Sequence, residues 1–154
     1  MHLFEENIKN LGLNIPELPK ALANYVPYKI VGKTMYISGQ APVQNGELIY
    51  KGKVGSDITI EDGIKAARLC VTNIIAAVKT GLEGDWGKLD SFVKLTGFVN
   101  CQDDFTDQPK IINGASDMLV EIFGDQGRHA RVAVGSNALP LGISVEIDAI
   151  VQLK

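Results

Sequence analysis

Hydrophobic residues recur with helical spacing in the middle of the chain. From about Ile60 to Gly81 they are separated, apart from the adjacent pair Ile74 and Ile75, by steps of three and four, which is typical of a helix with one buried face. The stripe comprises Ile60, Ile64, Ala67, Val71, Ile74, Ile75, Val78 and Leu82. Thr59 and Asp62 predict the amino-terminal cap of this helix. Gly81 is predicted to end it in the left-handed conformation.

A second stripe with the same spacing predicts a helix that starts at Asp107 and Pro109 and ends at Gly124. The stripe comprises Ile111, Ile112, Ala115, Met118, Leu119, Ile122 and Phe123. A short, weaker helical run covers Glu5–Leu11.

Segments rich in β-formers predict the strands. The runs Tyr25–Val31 and Thr34–Gln40 flank Gly32 and Lys33, which predicts a hairpin with a two-residue turn. Further strands are predicted over Ser91–Asn100, Ala130–Val134 and Ile143–Leu153, with a minor strand at Glu47–Tyr50 inside a loop. In the last strand apolar residues occupy the odd positions, whereas the even positions include Glu146 and Asp148.

This order of elements predicts an α+β fold, in which two long helices cover one face of a mostly antiparallel or mixed sheet. The opposite face then needs a partner, which favours an oligomer. The 154 residues correspond to a single domain, and we interpret residues 1–19 as an amino-terminal extension.

Composition narrows the function classes. Fifteen basic residues against 18 acidic residues give a net charge of −3, so no nucleic-acid partner is expected. We find no apolar stretch of membrane-spanning length and no secretory signal. Cys70 and Cys101 are predicted to be free, buried thiols in a reducing cytosol, so we expect a cytoplasmic protein. With only two histidines and no Cys/His cluster, no metal site is expected.

Arg131 is the first candidate for chemistry, because it interrupts an apolar strand. It could lie on an exposed strand face, form a structural ion pair, or bind a carboxylate through its two-pronged guanidinium. His129 is by default a loop residue or a hydrogen-bonded structural histidine, and the roles of His129 and Arg128 stay open. Glu146 is by default solvated. If a second subunit covers its face, Glu146 and Arg131 from adjacent strands would share a polar cleft.

Several motifs then occur in a recognisable order. The run Ala130-Arg131-x-Ala133-Val134 is followed by Leu139-Pro140 and by Val145-Glu146-Ile147-x-Ala149. Upstream, Tyr25-Val26 precedes Ser38-Gly39-Gln40-Ala41-Pro42. Together they resemble the Rid family, the reactive intermediate (enamine/imine) deaminases, also called YjgF-type or L-PSP endoribonuclease-like proteins. The resemblance covers about residues 20 to 154.

The resemblance implies a chorismate-mutase-like fold and a homotrimer with three clefts between subunits. It also implies hydrolysis of 2-aminoacrylate and related imines to 2-keto acids and ammonia, with neither cofactor nor metal. By position, Arg131 would bind the substrate carboxylate and Glu146 would position the attacking water. The remaining pocket residues implied by the resemblance are Tyr25, Ser38, Gly39, Asn113 and the backbone of Ala133.

One alternative remains open at this point: a non-catalytic module that binds small carboxylates such as 2-keto acids in the same clefts. Such a module would use Arg131 without needing Glu146. An endoribonuclease is disfavoured, because the net charge of −3 offers little attraction to phosphates. A chorismate mutase would need several cationic groups for two carboxylates, and only Arg131 and Arg128 are candidates.

Overall fold

The computed structural model of the protein describes residues 1–18 and 23–154. The helices are α1 (Leu3–Asn10), α2 (Ile60–Gly81) and α3 (Gln108–Phe123). The strands are β1 (Tyr28–Val31), β2 (Thr34–Gln40), β3 (Val43–Gln44), β4 (Glu47–Leu48), β5 (Leu89–Asn100), β6 (Ala130–Ser136) and β7 (Val145–Leu153). Pro19, the last residue of the predicted amino-terminal extension, lies outside the described residues.

Five strands form one mixed sheet in the order β1-β2-β7-β5-β6. Strands β5 and β6 run parallel, and the other neighbouring pairs are antiparallel. Helices α2 and α3 pack against each other and against the same face of the sheet. The predicted α+β architecture is therefore confirmed. Strands β3 and β4 form a separate two-stranded hairpin in the loop where one minor strand was predicted.

Helix α2 has the predicted bounds. The backbone N–H of Asp62 donates to Thr59 Oγ1 over 3.1 Å, as the predicted cap requires. The prediction for Gly81 is wrong: the positive φ angles follow the helix, at Glu83 and Gly84. Gly81 instead leaves room for the Met35 side chain, because a Cβ atom there would overlap its terminal methyl group.

The predicted amino-terminal extension contributes to the core. Phe4 of α1 packs edge-on against Trp86 and Phe123, with ring centroids 6.3 and 4.9 Å apart. The Asn7 side-chain amide donates to the carbonyl of Ile122 over 2.7 Å. These contacts attach α1 to the end of α3, so a single core includes all three helices.

Strand β1 is shorter than predicted and begins at Tyr28 instead of Tyr25. Pro27 has no N–H to donate, which disfavours strand pairing at that position. The carbonyls of Val26 and Pro27 are instead bound by Ser38 of β2. The Tyr25–Pro27 segment therefore stays attached to the sheet without being part of the ladder.

The sheet face opposite the helices is uncovered in the single chain. Besides charged residues, it carries exposed apolar side chains, which include Val132 and Val134 of β6, Val93 of β5 and Tyr36 of β2. Several exposed apolar side chains on one face are typical of an interaction site. None of the helices in the described residues is both long and apolar enough to cross a membrane.

Candidate functional site

The carboxylate of Glu146 stands on the sheet face that the helices leave uncovered. Its neighbours on β7, Val145 and Ile147, are fully buried under the helices, so strand alternation turns Glu146 to the other face. Gly39 of β2 lies beside it: a Cβ atom at position 39 would come within 2.6 Å of Glu146 Oε1. Glycine at position 39 thus leaves the space that the carboxylate occupies.

A bulge in β2 attaches the Tyr25 segment next to this carboxylate. The pairing of β2 with β7 shifts register between Ile37 and Gln40, which is where Ser38 and Gly39 lie. The Ser38 N–H donates to the Pro27 carbonyl over 3.0 Å, and Ser38 Oγ donates to the Val26 carbonyl over 2.7 Å. Tyr25 precedes these acceptors with its side chain about half exposed (52%). The structure therefore brings the Tyr25 segment, Ser38, Gly39 and Glu146 into one region, which we call the acidic half-site.

The environment of Glu146 raises the pKa of its carboxyl group. Burial raises the pKa of the Glu146 side chain above its ordinary value, and the negative charge of Asp148 raises it further. Asp148 lies two residues further along β7 on the same face. A carboxylate whose pKa moves toward neutrality is a better proton acceptor at neutral pH than an ordinary surface glutamate.

We expect the substitution Asp148→Asn to lower the pKa of Glu146, because it removes the neighbouring negative charge while keeping the side-chain size. A ¹³C NMR titration of the Glu146 carboxyl measures this directly. Asp103→Asn, in the exposed loop after β5, serves as the control and leaves the Glu146 titration unchanged. An identical titration of Glu146 in the wild type and in Asp148→Asn would contradict this electrostatic coupling.

Arg131 lies in a different region, on the β6 edge of the sheet. It pairs with Leu95 in the parallel ladder, and its side chain points toward α3 on the helix-covered face. Arg131 Nη1 donates to Ser116 Oγ over 3.1 Å, and Nη2 donates to the Pro109 carbonyl over 3.3 Å. Asn113 is exposed on α3 and lies between Pro109 and Ser116 in the sequence.

Ala133 follows two positions after Arg131 and therefore shares its face of β6. Its side chain packs against the edge of the core, and it pairs with Gly97 of β5. Arg131, Asn113 and Ala133 form a second group of predicted residues, which we call the basic half-site.

The expectation that Arg131 and Glu146 come from adjacent strands is wrong. Strand β5 separates β6 from β7, and the two side chains point to opposite faces of the sheet. The reason is the parallel pairing of β6 with β5 after the α3 crossover, which puts β6 at the edge and turns Arg131 toward α3. Within one chain the two residues cannot act on the same small molecule.

The charge of Arg131 is not compensated by a protein carboxylate. Within the described ranges 1–18 and 23–154, no Asp or Glu oxygen lies within 4.0 Å of its guanidinium. Arg128, three residues earlier, differs in this respect, because its Nε lies 3.2 Å from Asp125 Oδ1. The structural ion pair considered for Arg131 is therefore not formed, and several guanidinium N–H groups remain available for an anion.

Sequence analysis missed Ser116, which binds both Arg131 and His129. The Nε2 atom of His129 lies 2.8 Å from Ser116 Oγ, and its Nδ1 atom lies 2.7 Å from the Gly127 carbonyl. His129 is thus a hydrogen-bonded residue, as its default interpretation predicted. The position of Ser116, seven residues after Pro109, gave a weak signal, since residues seven apart in a helix lie on the same face, here the face of α3 that Arg131 contacts.

Within the described residues, no three His, Cys, Asp or Glu side chains form a group that could hold a metal ion.

Comparisons with known proteins agree with this architecture. Residues 5–151 match the family described as "YjgF/chorismate mutase-like, putative endoribonuclease". Protein TCP17 of Trypanosoma cruzi is 38% identical over 149 residues, which cover 96% of this chain and 92% of that protein.

Two solved structures are similar in fold. Protein Atu1372 of Agrobacterium tumefaciens, of unknown function, superimposes with a TM-score of 0.93 at 43% identity and covers 99% of this chain and 93% of its own. Escherichia coli TdcF with bound serine superimposes with a TM-score of 0.63 at 27% identity and covers 88% and 93% of the two chains. The fold is YjgF/chorismate-mutase-like, and the chain belongs to the YjgF family.

Proposed function

We propose that the protein hydrolyses small imine acids, of the 2-aminoacrylate type, to 2-keto acids and ammonia in clefts between subunits. The main support is the separation of the two half-sites within one chain. The basic half-site offers an uncompensated guanidinium, and the acidic half-site offers a carboxylate with a raised pKa. The basic half-site has no carboxylate base and the acidic half-site has no cationic anchor, so a complete site needs a second copy of the chain.

A head-to-tail arrangement of subunits would complete the site. The β6 edge of one copy, with Arg131, would meet the β2–β7 region of the next copy, with Gly39 and Glu146. Contacts between two different surfaces of the same chain form closed rings when the rotation closes. The exposed apolar side chains of the uncovered sheet face, including Val132 and Val134, would then be buried between the subunits of the ring.

The chemistry assigned to the cleft follows from these groups. Arg131 would bind the substrate carboxylate through two N–H donors and draw electron density from the adjacent imine carbon. Glu146 would take a proton from a water molecule as the water oxygen bonds to that carbon and the C=N electron pair moves to nitrogen, and this proton would pass to the nitrogen to give a carbinolamine. Glu146 would then take the hydroxyl proton of the carbinolamine and deliver it to the amine as the C–N bond breaks, so that ammonia departs and a keto group remains. Neither a metal nor a redox cofactor enters this balance.

The other predicted residues would form the pocket wall. Tyr25, Ser38 and Gly39 would surround the water and Glu146, while Asn113 and the Ala133 carbonyl would flank the substrate beside Arg131. Serine bound to TdcF, a relative of 27% identity, supports a small ligand with one carboxylate.

The assembly has a direct test. We expect a homotrimer of about 50 kDa, three times the 16.6 kDa of the chain, in sedimentation-velocity experiments at micromolar concentration. A charge on the β6 part of the uncovered face, as in Val132→Asp, should dissociate it. The same substitution at Val31, which is exposed on β1, controls for the added charge. A monomeric wild type would contradict the proposed site.

We expect the double variant Cys70→Ala, Cys101→Ala to retain most of its activity. Both thiols are free and buried, and burial raises the pKa of Cys70 further above the range of a reactive thiolate. Turnover of the imine substrate is measured together with a thermal melt. The melt is needed because truncating two buried side chains lowers the stability of the fold by itself. Loss of turnover in a folded variant would instead indicate a thiol nucleophile.

The activity itself is tested by generating 2-aminoacrylate enzymatically and measuring the rate of 2-keto acid release above the spontaneous rate. The proposal predicts acceleration by the wild type. Binding of a 2-keto acid without any acceleration would instead favour the non-catalytic module.

A further inference from the structure

A chain of hydrogen bonds lies behind the guanidinium of Arg131. Arg131 Nη1 contacts Ser116 Oγ at 3.1 Å, and Ser116 Oγ contacts His129 Nε2 at 2.8 Å. The other ring nitrogen of His129, Nδ1, contacts the Gly127 carbonyl at 2.7 Å. The chain thus connects the backbone of the turn before β6 to the guanidinium through two side chains.

The chemistry of the four groups fixes the direction of every hydrogen bond. The Gly127 carbonyl can only accept, so Nδ1 of His129 carries a proton. In a neutral imidazole Nε2 is then an acceptor, and the Ser116 hydroxyl donates to it. The lone pairs of Ser116 Oγ remain free to accept from Arg131 Nη1. Every donor in the chain has an acceptor only while His129 is neutral.

The charges around His129 favour the neutral form. Burial lowers the pKa of the His129 ring, and the positive charge of Arg131 lowers it further, against the opposing effect of the Gly127 carbonyl. The charged residues of the preceding turn, Asp125 and Arg128, pair with each other. Lys94 of β5 pairs with Ala130 and lies on the opposite sheet face.

We propose that Ser116 and His129 are positioning residues that hold Arg131 ready for the substrate carboxylate, and that protonation of His129 releases it. The proposal rests on the proposed function, because it takes Arg131 to be the carboxylate anchor. Protonated His129 would donate from Nε2, so Ser116 Oγ would face two cationic donors and its own hydroxyl proton would lose its acceptor. The guanidinium would then be held by its hydrogen bond to the Pro109 carbonyl alone, and its position would no longer be fixed from two sides.

The test is calorimetric titration with 2-oxobutanoate between pH 5 and 8, a range over which this ligand stays ionised. We expect wild-type affinity to be full above the ordinary histidine pKa and to fall as the pH drops through the lowered pKa of folded His129. Ser116→Ala should weaken binding on the order of tenfold at neutral pH, because it removes one hydrogen bond to a charged group. Ser116→Thr keeps the hydroxyl and should restore the affinity.

A histidine variant isolates the pH response. In His129→Gln the amide oxygen can still accept from Ser116 but does not titrate. Proteins with and without this substitution are compared in a Glu146→Gln background, which removes the other titratable group of the proposed cleft, and there binding by the His129→Gln variant should become independent of pH over this range. A merely structural role would leave the pH dependence in place. Equal affinities for the wild type and Ser116→Ala, or an unchanged pH dependence in His129→Gln, would overturn the inference.

The outcomes separate this inference from the proposed activity. If the wild type binds 2-oxobutanoate with the expected pH response and does not hydrolyse imines, the positioning role stands and the enzymatic proposal fails. If it hydrolyses imines while Ser116→Ala binds as well as the wild type, the enzymatic proposal stands and the positioning role fails. If it does not bind 2-oxobutanoate at all, both are overturned.

Discussion

Replacing Glu146 with glutamine should lower the turnover of an imine substrate on the order of 100-fold, because an amide cannot take the proton from the attacking water. Binding of 2-oxobutanoate should change little, because the carboxylate anchor is Arg131 and the side-chain size is kept. The melting temperature should not fall, because burial already penalises the charged form of Glu146. The comparison needs turnover, calorimetry and a thermal melt on the same preparations.

The control is Glu121→Gln, which makes the same chemical change on the exposed surface of α3 and should leave turnover unaltered. Equal turnover by the wild type and Glu146→Gln would remove Glu146 from the mechanism, even if Arg131 proves essential.

Arg131→Lys should weaken the binding of 2-oxobutanoate by roughly 1.5–3 kcal/mol, the range for hydrogen bonds to charged groups, or about 10–150-fold in the dissociation constant. Lysine keeps the charge but has three N–H donors on one atom instead of five on a planar fork, so with Ser116 and the Pro109 carbonyl bound it has at most one donor left for a carboxylate. The effect should appear in the Michaelis constant for the imine as well as in calorimetry.

Arg128→Lys is the matched control for this substitution. Arg128 pairs with Asp125 on the surface, and an exposed pair contributes little, so its replacement should change ligand binding by less than about twofold. An Arg131→Lys variant that binds 2-oxobutanoate as tightly as the wild type would mean that the ligand carboxylate is held elsewhere.

The sequence was most informative where a local pattern determines local structure. The apolar period of α2 and its cap at Thr59 gave both helix ends, and the alternation in β7 gave the face of Glu146. The left-handed conformation predicted for Gly81 was wrong, because glycine also occurs where another side chain approaches closely, and the approach of Met35 cannot be read from spacing. The family resemblance, in turn, came from several motifs in order and not from any single residue.

Features that depend on the arrangement of strands were not predictable in the same way. The local pattern gave β5, β6 and β7, yet it did not reveal that β5 lies between the other two. Ser116 was missed for a related reason, because its importance comes from Arg131, 15 residues further along the chain and on another element. The separation of the two half-sites therefore emerged only from the structure.

Mixing two inactive variants tests most directly whether the site is shared between copies of the chain. Arg131→Ala and Glu146→Gln are each unfolded and refolded alone, and then together in equal amounts, with mixed trimers verified by mass spectrometry under native conditions. A head-to-tail trimer places an intact Arg131 against an intact Glu146 in about one quarter of the randomly formed clefts. The account predicts that the mixture recovers about a quarter of wild-type imine hydrolysis while each variant alone stays inactive. Verified mixed trimers that are no more active than their parents would contradict it.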